Sequence, residues 1–215
     1  MARKKREYTE RWWLKSYDYT TMMKFMGVRL SRRKRLLFGC ATSRLVWDFV
    51  VQPCNRKAVE TSEAHADGRA TRREMAAAWR DLSWEAAMYS EWHIDALTAG
   101  LPYSGATDEE LESFAGLDRS PFKVSRVQWS DALRDIAGNP FHEYTLRPDW
   151  LHADDRIAAA LAEGAYDERA FDRLPILADA LEDAGCDIAA VLDHLRGPGR
   201  HFRGCWVVDL ILGRQ

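Results

Sequence analysis

With 215 residues, 47% of them apolar and nine of them tryptophan, the chain is long and apolar enough for one domain with a sizeable core. It contains no apolar run of membrane-span length, and its basic start lacks the apolar stretch and cleavage site of a signal peptide, so a cytoplasmic location is expected, with the four cysteines as free thiols rather than disulfides. The net charge of −2 conceals an asymmetry: residues 1–35 hold twelve Lys/Arg against three acids, and the remainder holds nineteen against thirty.

Residues 1–8 read as a basic tail ahead of a helical domain spanning residues 9–215. Trp12, Trp13 and Leu14 allow the next segment to dock. Asp18 to Met26 reads as a short helix carrying Met22, Met23, Phe25 and Met26, ended by Gly27. Ser31 is placed to cap a helix running to about Val51, with Leu37, Cys40, Ala41 and Leu45 on its inner face. Arg32, Arg33, Lys34 and Arg35 crowd the first turn of that helix, where the backbone dipole disfavours positive charge. The conflict is a mild argument that those cations are used; a solvated basic face is the more favoured reading of the same run.

Pro53 interrupts the helix, and Asn55 to Ala66 forms another. Thr71, with Glu74 three residues on, starts a long helix to about Thr98. Met75, Trp79, Leu82, Ala86 and Tyr89 mark one face of it, and Trp84, Met88 and Trp92 mark a second, as expected for the central helix of a bundle. A stacking platform for bases is the less favoured reading of the same tryptophans. Residues 100–124 form a loop-rich insertion. Ser125 to Ala137 is amphipathic, Asn139-Pro140 is a turn, Phe141 to Pro148 is extended, and a helix follows from Trp150 to Leu161.

The C-terminal third carries the densest signals. Leu174, Leu177, Ala178 and Leu181 form one apolar stripe, with Asp172 as its cap, Pro175 in the first turn and Gly185 at the end. Asp187 starts a second helix bearing Ile188, Val191, Leu192 and Leu195, broken at residues 196–199. Cys205 to Leu212 is apolar almost throughout and reads as a buried helix, with Cys205, Trp206, Val208, Leu210 and Ile211 in the core. Asp209, inside that run, needs a partner, for which Arg173, Arg196 and Arg203 are candidates.

The strings YDERAFDRLPILADALEDAGC, HLRGPG and RGCWVVDLILG in this third, with GNPF at 138–141, RPDWL at 147–151 and SRRKRLLFGCATSRLVW at 31–47, resemble an uncharacterised bacterial family of planctomycete type, present as many paralogues. The resemblance covers most of the chain and implies a shared fold; the family carries no known activity. Its members often have further cysteines just after the position of Cys40, where this chain has Thr42 and Ser43.

Phosphate loops, dinucleotide fingerprints, paired-histidine zinc helices and nucleophile elbows are absent. Cys186, His194, His201 and Cys205 are chemically a legitimate tetrahedral zinc set. Their spacing lacks the closely paired ligands of known zinc motifs, and the core needs no metal staple, so the expectation is that they share no metal and that no cofactor is implied. The fold expected is an all-α, single-domain bundle of about eight helices. The function expected is a non-enzymatic interaction module that binds a protein partner and no membrane. The alternative is a nucleic-acid-associated accessory protein using Arg3, Lys4, Lys5, Arg6, Arg32, Arg33, Lys34 and Arg35. No catalytic residue can be named, because no convergent set of titratable groups is visible.

Overall fold

Side-chain caps set the helix starts in the N-terminal half, because the first backbone N–H groups of a helix have no partner within it. In the computed structural model, which describes residues 8–81, 125–152 and 156–214, Thr9 accepts from the Trp12 amide to start α1 (Glu10–Lys15). Asp18 does the same for α2 (Tyr19–Met26) and Ser31 for α3 (Arg32–Leu45). Pro53 occupies the first turn of α4 (Pro53–Ala66), where its missing N–H costs nothing. Reciprocal capping boxes, Thr71 with Glu74 and Ser125 with Gln128, open α5 (Arg72–Arg80) and α6 (Arg126–Ala137). The C-terminal half consists of α7 (Pro148–His152), α8 (Ile157–Glu168), α9 (Leu174–Asp183), α10 (Ala189–Arg196) and α11 (Trp206–Ile211). The protein is all-α, with eleven α-helices and no strand among the described residues, against about eight expected.

Several boundaries differ from expectation, each for a local reason. The chain leaves α3 at Leu45, not Val51, and a 3-10 turn at Trp47–Phe49 lets both Val46 and Val50 enter the core. Asp172 does not cap α9; it lies in a 3-10 turn, Phe171–Arg173, that feeds straight into the helix. α10 begins at Ala189 after an extended Ile188. The helix expected from Trp150 to Leu161 is two helices, α7 and α8. Gly185 ends α9 as expected, at φ +91°, and its N–H and that of Cys186 bond back to Glu182 and Leu181. Leu82 to Thr98, with Trp84, Met88 and Trp92, lies outside the described residues, as does the expected insertion at 100–124.

Two large apolar cores result, with a small third cluster of Cys40 and Val59 between α3 and α4, flanked by Trp47 and Trp79. The first joins α1, α2, α3 and α6 through Trp13, Met22, Met26, Phe38, Trp129 and Leu133. The second joins α7 to α11 through Tyr166, Leu177, Leu181, Leu195, Val207 and Val208. Cys205, Val208 and Ile211 are buried as expected, while Trp206 and Leu210 are half-buried against the second core. Trp206 lies across Gly138, where a Cβ would meet its ring at 3.1 Å. α11 thus packs closely on the end of α6 and links the two halves.

A polar seam runs between the cores. Asp209 of α11 is 1% exposed, so its charge is stable there only if neutralised. Arg33 donates to both of its oxygens, at 2.7 and 3.0 Å, and Lys34 approaches at 2.7 Å. Arg173, Arg196 and Arg203, the partners expected from sequence, are engaged elsewhere, with Glu168, with Asp179 and Glu182, and with Asp67 and the Asp167 carbonyl. Burial alone would lower the Arg33 pKa, but the Asp209 hydrogen bonds and charge, together with Tyr166 and Asp67, outweigh it and hold the guanidinium firmly charged. Arg33 also binds Asp67, and the Tyr166 hydroxyl donates to Asp67 at 2.7 Å. Lys34 additionally donates to the Ile136 and Gly204 carbonyls, tying the end of α6 to the turn before α11.

Two outcomes follow from this packing. Asp209→Ala leaves Arg33 and Lys34 buried without their shared anion and should cost about 3–5 kcal/mol in urea unfolding; a loss below about 1 kcal/mol would mean the node is not structural. Thiol labelling of the folded protein should modify half-buried Cys54 first, with Cys40, Cys186 and Cys205 reacting only on unfolding. Burial pushes the Cys40 thiol up from 9.0 to about 12, so the unfolded chain ionises first as pH rises; this contribution to stability is intact below pH 9 and is lost between there and pH 12.

Candidate functional site: an arginine-lined cleft and a histidine cluster

The seam opens to solvent as a cleft of about 550 Å³. α3 supplies Arg44, the following turn Trp47, α4 Glu63, the end of α8 Arg169, and the loop from Gly197 to Arg203 the opposite wall. Arg44 grips Glu63 with two parallel hydrogen bonds, at 3.0 and 2.9 Å, and its guanidinium lies 3.6 Å from the Trp47 ring centre. Arg169 binds the same Glu63 carboxylate. It does so from a left-handed backbone conformation, φ +56°, that costs a non-glycine residue on the order of 1–3 kcal/mol.

The charges do not cancel. Glu63 is buried and shared by two guanidiniums, while Arg203 lies nearby and exposed Arg200 stands at the rim. Burial, and then the like charges of Arg44 and Arg203, bring the Arg169 pKa down to about 10. Arg203 is also lowered, by burial and then by Arg69, and its buried Nε has no hydrogen-bond partner among the described residues. Burial is the first cause of both shifts; the four guanidiniums of the lining, Arg44, Arg169, Arg200 and Arg203, against the carboxylates Glu63 and Asp172 give the cleft a positive potential suited to an anion.

His201 lines this cleft and also belongs to a cluster behind it. Asp135 of α6, His194 of α10, and His201 and Cys205 of the loop before α11 each place one donor atom within 4.8 Å of the others. His201 Nδ1 lies 2.7 Å and His194 Nε2 3.2 Å from Asp135 Oδ1. Cys205 Sγ lies 3.2 Å from His194 Nε2 and 3.9 Å from His201 Nδ1. The second Asp135 oxygen accepts the Phe202 amide at 2.9 Å, which fixes the carboxylate. Burial would raise the Asp135 pKa, but the hydrogen bonds from His194 and His201 outweigh it and hold it below the usual range. Burial, reinforced by the Asp135 charge, pushes the Cys205 thiol up.

Three of the four residues named from sequence as a zinc set therefore converge. Cys186 does not: it is buried in the second core, at the end of α9. Asp135 takes its place, a residue beside the apolar stripe of α6 that no spacing rule pairs with a loop more than sixty residues away. Of the basic residues named for nucleic acid, Arg33 and Lys34 are committed to Asp209, and Arg35 donates to the Leu30 and Gly27 carbonyls. Arg32 is exposed, and Arg3, Lys4, Lys5 and Arg6 lie outside the described residues. No helix among the described residues is long and apolar enough to cross a membrane. No family model, no curated protein and no solved structure matches the chain.

Glu63→Gln removes the carboxylate to which both Arg44 and Arg169 hydrogen-bond, and should destabilise the fold by about 3–5 kcal/mol. Sulfate should restore part of that loss in urea unfolding, beyond its effect on the unaltered protein, by binding from the cleft to the guanidiniums that the amide no longer neutralises. An equal response of both proteins to sulfate would contradict this account of the cleft.

Proposed function

We propose that the chain is a non-catalytic interaction module that takes an acidic segment of a protein partner into the arginine-lined cleft. The observation that carries the reading is the excess of guanidinium over carboxylate in the lining: Arg44, Arg169, Arg200 and Arg203 stand against Glu63 and Asp172, with Glu60 3.9 Å from Arg44 at the edge. Trp47, Phe171, Pro175 and Phe202 line the same cleft, so a segment carrying an apolar residue next to its acid fits both kinds of wall. Catalysis is disfavoured because Glu63 is saturated by arginines and the His201 Nδ1 is held by Asp135, which leaves neither as a free base. A nucleic-acid backbone is the weaker fit, since Arg33 and Lys34 are used internally and the chain beyond residue 35 is acidic.

The test is fluorescence anisotropy with a labelled peptide alternating Glu with Leu and Phe, beside its Lys-for-Glu counterpart and a single-stranded oligonucleotide. The acidic peptide should bind, more weakly as NaCl rises, and Arg200→Glu should weaken it about tenfold, the effect of about 1.4 kcal/mol. Equal affinity for the basic peptide, or binding of the oligonucleotide alone, would overturn the reading.

A further inference from the structure

We infer that Asp135, His194, His201 and Cys205 form a zinc site that joins α6, α10 and the loop leading into α11. Zinc takes four ligands drawn from imidazole, thiolate and carboxylate, at about 2.0–2.2 Å for nitrogen and oxygen and about 2.3 Å for sulfur. A tetrahedron with those bond lengths has ligand-to-ligand edges of about 3.3 Å between nitrogen and oxygen and about 3.6 Å between nitrogen and sulfur. The observed separations are 2.7 and 3.2 Å for nitrogen to oxygen and 3.2 and 3.9 Å for nitrogen to sulfur. The nitrogen-to-sulfur separations lie on either side of their edge, and both nitrogen-to-oxygen separations are shorter than theirs, so the atoms would move apart slightly around an ion. Here one carboxylate oxygen faces two imidazole nitrogens, and each nitrogen also faces the same sulfur, so four donor atoms surround a common centre.

The surroundings suit a bound cation. The Asp135 carboxylate is oriented by the Phe202 amide, and the Val207 and Val208 amides at the start of α11 hydrogen-bond to Cys205. With Nδ1 of His201 as ligand, the proton of that ring sits on Nε2, which is buried and has no hydrogen-bond partner among the described residues. The donor set of two imidazoles, one thiolate and one carboxylate is borderline-soft, which favours zinc over calcium or magnesium. Four protein ligands fill a tetrahedron, so the site is structural and has no open position for a reacting water. The ion would close a span of seventy residues, from Asp135 to Cys205, at the place where the two cores meet. The inference is independent of the ligand assigned to the cleft, although His201 borders both.

Full-length protein without an affinity tag, produced in zinc-supplemented cells, should contain one zinc per chain by elemental analysis. Cobalt replacing it should give the intense visible bands of tetrahedral coordination and a thiolate-to-cobalt charge-transfer band. Cys205→Ser should abolish the charge-transfer band, whereas Cys186→Ser should leave zinc content and spectrum unchanged. Chelation should lower the melting temperature of the unaltered protein, and zinc but not magnesium should restore it, a readout that holds even if Cys205→Ser folds poorly. Protein that takes up no zinc, cobalt bound without the thiolate band, or a melting temperature indifferent to chelator would each overturn the site.

Discussion

Asp209 is held by Arg33 and Lys34 at the meeting point of two apolar cores, and the arrangement of the whole molecule depends on that contact. The acid comes from the last helix and the cations from the first turn of α3, 176 residues apart in sequence for the Arg33 pair. Buried charges of this kind contribute little net stability compared with apolar replacements, yet each becomes costly once its partner is lost. Their effect is therefore on specificity. Lys34 reaches Asp209 only when the end of α6 and the turn at Gly204 are also in place, because the same ammonium bonds both carbonyls. The close seating of Leu37 against Gly204, which needs φ +91° and has no room for a Cβ, reinforces the same register.

Once the seam is set, the candidate sites follow from it. α3 and α4 pack through Cys40 and Val59, and beside that contact Arg44, Glu63 and Arg169, from α3, α4 and the end of α8, meet outside the two large cores. The loop from Gly197 to Cys205 serves both sides: its early residues wall the cleft, and His201 and Cys205 turn inward to Asp135 and His194. Phe202, between those two ligands, enters the first core. One short loop therefore anchors a core residue, a charged cleft and a cluster of metal-binding atoms at once, which gives it few permitted conformations.

Much of the local structure was legible from the residues. Ser31, Thr71 with Glu74, Gly27 and Gly185 mark helix ends because capping is chemistry within a few residues of the end. The stripe Leu174, Leu177, Ala178 and Leu181 marks a buried face because helical periodicity needs no knowledge of what lies opposite. From sequence, the cations in the first turn of α3 read more readily as a solvated face, which Arg32 is, while Arg33 and Lys34 turn inward to Asp209. The dipole conflict shows that Arg33 and Lys34 must be compensated and does not show whether by a phosphate outside or a carboxylate inside.

Partner choice is where local reasoning stopped. The sequence by itself determined the helical class, most of the helix starts and the apolar faces, all properties of neighbours three or four residues apart. Only the tertiary structure decided that Asp209 meets Arg33 and Lys34 and not Arg173, Arg196 or Arg203, and that Asp135 joins His194, His201 and Cys205 while Cys186 goes to the core. The physical reason is that a charge or a ligand atom acts over a few ångströms in space, and which groups come that close depends on how the helices stack.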